Sequence, residues 1–136
     1  MANIQVGYGH GDVVGIPFDF YAGATLVTGS TITMQTNRLV LNPTGTLATL
    51  TVNLPLNPVD GTECSISSTQ VITALTVAAN TGDVLVNGVL GAASTITPTA
   101  QTGGVAIAQI KYVYTLNGFQ PASGAAVNPR SWIRVQ

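Results

Sequence analysis

The segment from Thr46 to Gly82, TLATLTVNLPLNPVDGTECSISSTQVITALTVAANTG, decides the fold class. Thr49-Leu50-Thr51-Val52-Asn53-Leu54 alternates strictly, so an extended chain puts Leu50, Val52 and Leu54 on one face and polar side chains on the other. Glu63-Cys64-Ser65-Ile66-Ser67 alternates likewise and turns Cys64 and Ile66 toward a buried face. Thr69–Val77 brings Val71, Leu75 and Val77 into phase. Turn chemistry separates these runs. Asn57-Pro58-Val59-Asp60-Gly61 combines a fixed φ with an Asp-Gly pair, and Asn80-Thr81-Gly82-Asp83 supplies residues that tolerate positive φ.

The same signals extend outward. Val105–Tyr114 is the longest strand candidate, rich in β-branched and aromatic residues. Thr31–Gln35, Arg38–Leu41, Asp83–Asn87 and Trp132–Val135 are shorter ones, and Asn87-Gly88 and Asn117-Gly118 add turns. No window carries apolar residues at i, i+3, i+4 and i+7 against a charged face, so no helix is expected. Gly91–Gly104 reads as a polar loop with room for one short strand, and Pro121–Pro129 as another loop. Met1–Gly29 is Gly-rich, with Phe18, Phe20 and Tyr21 near Pro17, and reads as a partly extended arm with one apolar anchor. The expectation is a single all-β domain over residues 1–136, a sandwich or partly open barrel with an extended Gly-rich N-terminal arm within residues 1–29.

Composition removes several functions. The chain has 136 residues, of which 46% are hydrophobic and 7% charged, with a net charge of -1. An average soluble domain is about 25% charged. Four basic residues, Arg38, Lys111, Arg130 and Arg134, leave no basic face for phosphates, so no nucleic-acid partner is expected. No apolar run is long enough to cross a bilayer as a helix, so no membrane partner is expected. MANIQVGYGHGD shows no basic segment leading into an apolar one, so no cleavable secretion signal is expected.

Candidate chemistry is sparse. Cys64 is the sole cysteine and His10 the sole histidine, and nothing around either suggests a nucleophile–base pair, so no catalytic residues are assigned. Zinc sites draw three or four ligands at set spacings, which this chain lacks. Asp12, Asp60 and Asp83 sit in no EF-hand loop, so no metal and no cofactor are assigned. Gly7-x-Gly9-x-Gly11 lacks the third glycine, Asp12 standing in its place, and lacks the flanking strand and helix of a dinucleotide loop. Nineteen threonines include Thr31-x-Thr33, Thr49-x-Thr51 and Thr95-x-Thr97-x-Thr99. Regular arrays of this kind organise water on ice-binding surfaces. Here they follow no fixed period and no solenoid repeat is visible, so they read as ordinary strand residues on solvent faces.

Residues 46–136 carry one resemblance. The alternating Thr/Leu strand, Leu54-Pro55, Pro58-Val59-Asp60-Gly61, the strand ending Ser67-Ser68-Thr69, Val71–Val77 and the Asn80-x-Gly82 turn are followed by an aromatic strand (Ile110–Tyr114) and a terminal Ser131-Trp132-Ile133-Arg134. This order resembles small β-rich domains in virion proteins of tailed bacteriophages. The resemblance implies a structural virion protein, foremost a capsid decoration (cement) protein. Such a protein binds the major capsid protein on the capsid surface, stabilises the phage head as a homotrimer, and is assembled in the host cytoplasm. The alternative it implies is a tail- or head-fibre module that contacts host-surface glycans, with Tyr8, Tyr21, Tyr112, Tyr114, Phe119 and Trp132 as candidate stacking rings; core packing is favoured for Tyr112 and Trp132. The low charge agrees with association, because surfaces near zero net charge tend to associate. Leu39, Leu41, Ile133 and Val135 are the expected interface side chains, and Met1–Gly11 the expected assembly arm.

Overall fold

A computed structural model describes residues 3–5, 15–86, 90–91, 93–96, 108–116 and 130–135. The chain crosses repeatedly between two sheets. Strands β2 (Phe18–Ala22), β4 (Arg38–Asn42) and β6 (Glu63–Ser68) lie side by side and parallel in one sheet. Strands β3 (Ser30–Thr33), β5 (Leu47–Asn53) and β7 (Ile72–Ala78) do the same in the other. Each crossing therefore returns the chain beside the strand it left, which makes three windings of a parallel two-sheet stack. A parallel pair needs a long crossover, and here a strand of the opposite sheet supplies it.

Antiparallel strands finish the stack. β11 (Ala108–Thr115) pairs with β6, β12 (Ser131–Arg134) with β11, and β1 (Asn3–Gln5) with β2. β8 (Val84–Val86) joins β12 in parallel and carries β9 (Leu90–Gly91), while β10 (Ala93–Ile96) covers β7. The result is an eight-stranded sheet, β1-β2-β4-β6-β11-β12-β8-β9, and a four-stranded sheet, β10-β7-β5-β3. The sheets do not close into a barrel, which corrects that half of the sequence expectation. All-β architecture stands; a single 3₁₀ turn, Gly23–Thr25, is the one helical element among the described residues.

Parallel stacking places equivalent side chains on top of one another. Ile32, Val52 and Val77 are register partners, as are Leu50 with Leu75, and Leu39, Ile66 and Ile110. All are at most 3% exposed, and one apolar cluster takes residues from both sheets. Burying each such side chain stabilises the fold by about 1.5–3 kcal/mol relative to exposure. Trp132 and Tyr112 are fully buried at the β11–β12 end, and Tyr114 stacks on Trp132 with centroids 5.1 Å apart.

Four sequence expectations change. Leu39 and Leu41 belong to this core rather than to an interface. Ile72, not Val71, is the inward residue that begins β7. It sits opposite Leu47, and both strands lose alternation over the next two residues before Leu50 and Leu75 restore it. The N–H of Ala48 is taken by Thr28 Oγ1 at 2.8 Å, which accounts for the local departure in β5. Phe18–Ala22 is a strand paired with β4, so this part of the expected 1–29 arm belongs to a sheet; the rest of the arm before residue 15, apart from the Asn3–Gln5 backbone, lies outside the described residues. Finally, the parallel stack exists although no repeat is visible in the sequence. Its windings begin at Phe18, Arg38 and Glu63, and these unequal intervals hide it from a search for a period.

One polar group is built into the stack. Asp19 is fully buried, and its Oδ2 accepts the backbone N–H groups of Gln35 (2.6 Å) and Thr36 (3.2 Å). The carboxylate thus fixes the corner between β3 and β4. Its Oδ1 has no hydrogen-bond partner in the structure.

Candidate functional site

The charged residues of the described strands, Asp19, Arg38, Glu63, Lys111 and Arg134, all belong to the eight-stranded sheet. The four-stranded sheet has none. Its inner face is Ile32, Leu50, Val52, Leu75 and Val77. Its outer face follows from the pleat. Thr31, Thr51 and Thr76 are register partners across three strands, and Thr95 of β10 is the register partner of Thr76. Thr49 opposite Ala74, and Thr33 opposite Asn53 and then Ala78, flank that row. The Asn53 amide donates to Thr33 Oγ1 at 3.2 Å. Thr31, Thr51 and Thr76, which follow no period in sequence, are therefore brought into one rank by unequal windings. No described strand pairs with the far edge of β3.

A second feature lies where the loops at Leu54–Gly61 and Asn80–Asp83 meet the end of β11. A cleft of about 530 Å³ opens there between Leu56, Pro58, Asn80, Asp83, Tyr114 and Arg130. Its walls are tied down. Asn80 Nδ2 donates to the carbonyls of Leu54 (3.2 Å) and Pro55 (2.9 Å), and Asp60 Oδ1 accepts the N–H of Leu116 at 2.8 Å. Arg130 Nε lies 3.3 Å from Asp83 Oδ1, whose carboxylate is nearly buried. Burial, with the neighbouring Asp83 charge next, pushes the Tyr114 hydroxyl above its usual value. Gly82, at φ +88°, lets the loop pass directly under the Arg130 guanidinium, where a Cβ would collide with it. Leu56, Val59 and Leu116 are exposed around this end of the molecule.

Of the described residues singled out for chemistry, Cys64 lies in the core, while Asp60 and Asp83 both stand at this cleft and are engaged there. Cys64 is 1% exposed, and burial pushes its thiol up to about 12, so the nucleophilic thiolate is suppressed. His10 and Asp12 lie outside the described residues, as do Gly7, Gly9 and Gly11. Asp60 caps a loop and Asp83 pairs with Arg130. No group of three potential metal ligands exists among the described residues. Of the candidate stacking rings, Tyr112, Tyr114 and Trp132 are packed in the core. Tyr21 is half-buried, and Tyr8 and Phe119 lie outside the described residues. Of the expected interface residues, Val135 is 56% exposed and Ile133 is half-buried on the outer side of β12.

No helix among the described residues is long and apolar enough to cross a membrane. Comparison with known proteins finds no matching family, no matching curated protein and no matching solved structure. The sequence signal that could have found the uncharged sheet was present: none of its four strands contains Asp, Glu, Lys or Arg. What was absent was the knowledge that these four segments share a sheet.

Proposed function

We propose that this chain is a structural virion protein, a capsid decoration subunit that binds the major capsid protein on a phage head and stabilises it as a homotrimer. The observation that carries the reading is the one-sided charge distribution. A protein that works free in solution spreads charge over its exterior for solubility. Here one whole sheet is uncharged, and desolvating such a surface costs little, as the core of an interface requires. The order of turns and strands between Thr46 and Arg134 adds the resemblance to virion domains. The fibre-type reading, with glycan as ligand, is weaker because Tyr112, Tyr114 and Trp132 are buried and cannot stack on sugar rings. Adding the purified chain to heads of the phage that encodes it, and pelleting the heads, tests the proposal. Saturable co-sedimentation and greater resistance of the heads to heat are expected. A chain that stays in the supernatant at saturating heads refutes the proposal.

A further inference from the structure

We propose that the outer face of the eight-stranded sheet carries a binding site for an extended acidic peptide, one in which a carboxylate and an apolar side chain stand two residues apart. The inference goes beyond the reading above: it concerns the charged sheet and does not depend on which particle carries the chain.

The site begins as a row set by register. Ser65 of β6 is the partner of Arg38 on β4 and of Lys111 on β11, so a short side chain stands between two long cationic ones. Two strand spacings of about 4.8 Å separate the backbones of the cations. Ser65, 9% exposed, is the floor of a hollow of about 470 Å³ that Asn37, Arg38, Glu63 and Lys111 help to line. Arg38 is exposed and has no ion pair among the described residues. Lys111 lies 3.6 Å from Glu63, but this pair is open to solvent, and exposed pairs are weak. Two cations against one carboxylate leave a single positive charge, which one further carboxylate neutralises. A guanidinium offers a carboxylate two parallel N–H groups, and the Ser65 hydroxyl is another donor. The amide cradle of a phosphate site is missing: β4, β6 and β11 are paired on both sides, and the Ser65 N–H donates to the Asn37 carbonyl at 2.9 Å.

An apolar hollow adjoins the first. It measures about 290 Å³, is lined by Ile16, Phe18 and Val40, and shares Ile16 and Arg38 with the cationic one. Ile16 is 63% exposed, Phe20 is the register partner of Val40, and the Phe18 and Phe20 rings meet edge to face 6.4 Å apart. Arg38 and Val40 are alternate residues of one strand, about 6.6 Å apart, which is also the spacing of alternate side chains in an extended peptide. A peptide lying along β4 therefore sets its carboxylate over Arg38 and its apolar side chain against Val40. Charge complementarity chooses this occupant. A wholly apolar partner would desolvate Arg38 without a counter-charge, and a basic one would be repelled.

The test is a titration of the full, isotopically labelled chain with acetyl-Thr-Phe-Thr-Glu-Thr-amide, followed by amide chemical shifts. Saturable shifts centred on Val40, Ser65 and Lys111 are expected. The same peptide with glutamine in place of glutamate should bind at least tenfold more weakly, and one with phenylalanine and glutamate adjacent should also be weaker, because neighbouring side chains of a strand point to opposite faces. Arg38→Gln should lose at least tenfold in affinity and Lys111→Gln several-fold. Arg134→Gln removes the same charge from the other side of the sheet, where Arg134 is the register partner of Tyr112, and should bind as wild type does. Circular dichroism reports whether each variant is folded, and Lys111→Gln remains informative if Arg38→Gln fails to fold. No shifts at millimolar peptide, equal binding of the glutamine peptide, or folded Arg38→Gln and Lys111→Gln proteins that bind like wild type would each overturn the site. Octanoate that binds more tightly than the peptide assigns the two hollows to a free amphiphile and overturns the peptide. An Asp12→Asn chain whose Ser65 and Lys111 amides shift without any peptide assigns the site to the chain's own carboxylate and likewise overturns it.

Discussion

Replacing Asp19 with alanine removes the buried carboxylate that holds the β3–β4 corner. Two backbone donors lose their acceptor: Gln35 N–H, bonded at 2.6 Å, and Thr36 N–H, at 3.2 Å. A hydrogen bond to a charged group contributes about 1.5–3 kcal/mol, with the longer bond at the weak end. Against this loss stands the relief of burying a charge whose Oδ1 has no partner. The corner is partly open, since Gln35 is exposed and Thr36 half-buried, so water re-solvates the freed donors in part. The net expectation is a destabilisation of about 2–3 kcal/mol, which for a chain of this length lowers the melting temperature by about 5–15 °C. Asp19→Asn keeps the shape and exchanges charge-assisted bonds for neutral ones, so it should fall about midway. Urea unfolding followed by fluorescence of Trp132, the single tryptophan and fully buried, reads all three proteins. The denaturation slope should be unchanged, because the surface exposed on unfolding is the same. An Asp19→Ala protein as stable as wild type, or more stable, would refute the argument and show that the unpartnered charge outweighs the staple.

Further outcomes follow from other sites. Gly82→Ala forces a side chain into φ +88° and against the Arg130 guanidinium, so thermal melts should show a loss of about 1–2 kcal/mol, with the Arg130–Asp83 pair separated. Cys64 and Tyr112 are both pushed up to about 12, chiefly by burial. Their neutral forms are favoured in the fold, so the unfolded chain releases protons first. Stability should hold below pH of about 9 and fall as pH rises toward 12, and Cys64→Ala should flatten part of that decline in a pH series of urea midpoints. A disulfide-forming thiol reagent should leave native Cys64 unmodified at neutral pH and react fully in urea; fast labelling of the native protein would contradict the burial. Leu50→Ala, in the row shared with Leu75, should cost about 2–5 kcal/mol by urea unfolding.

Much of this fold was legible because strands announce themselves locally. Leu50, Val52 and Leu54 alternate with polar residues, and all three are buried. Asn57–Gly61 and Asn80–Asp83 turn where their residues permit positive φ, at Asn57, Gly61 and Gly82. What local pattern does not carry is which strands pair. The segments at Thr31, Thr51 and Thr76 are joined by register across unequal windings, and nothing within any one of them specifies the other two. Leu39 and Leu41 looked available for an interface because Arg38–Leu41 has little polar alternation of its own. Their burial depends on strands from the opposite sheet. Phe18–Ala22 lacked a clean alternation, since the inward position holds an aspartate whose partners, Gln35 and Thr36, are remote in sequence.

The proposal that this chain decorates a phage head is tested most directly by electron cryomicroscopy of purified virions. The proposal predicts density for the chain in many copies over the head. Density confined to the tail, or particles that lack the chain altogether, would contradict it.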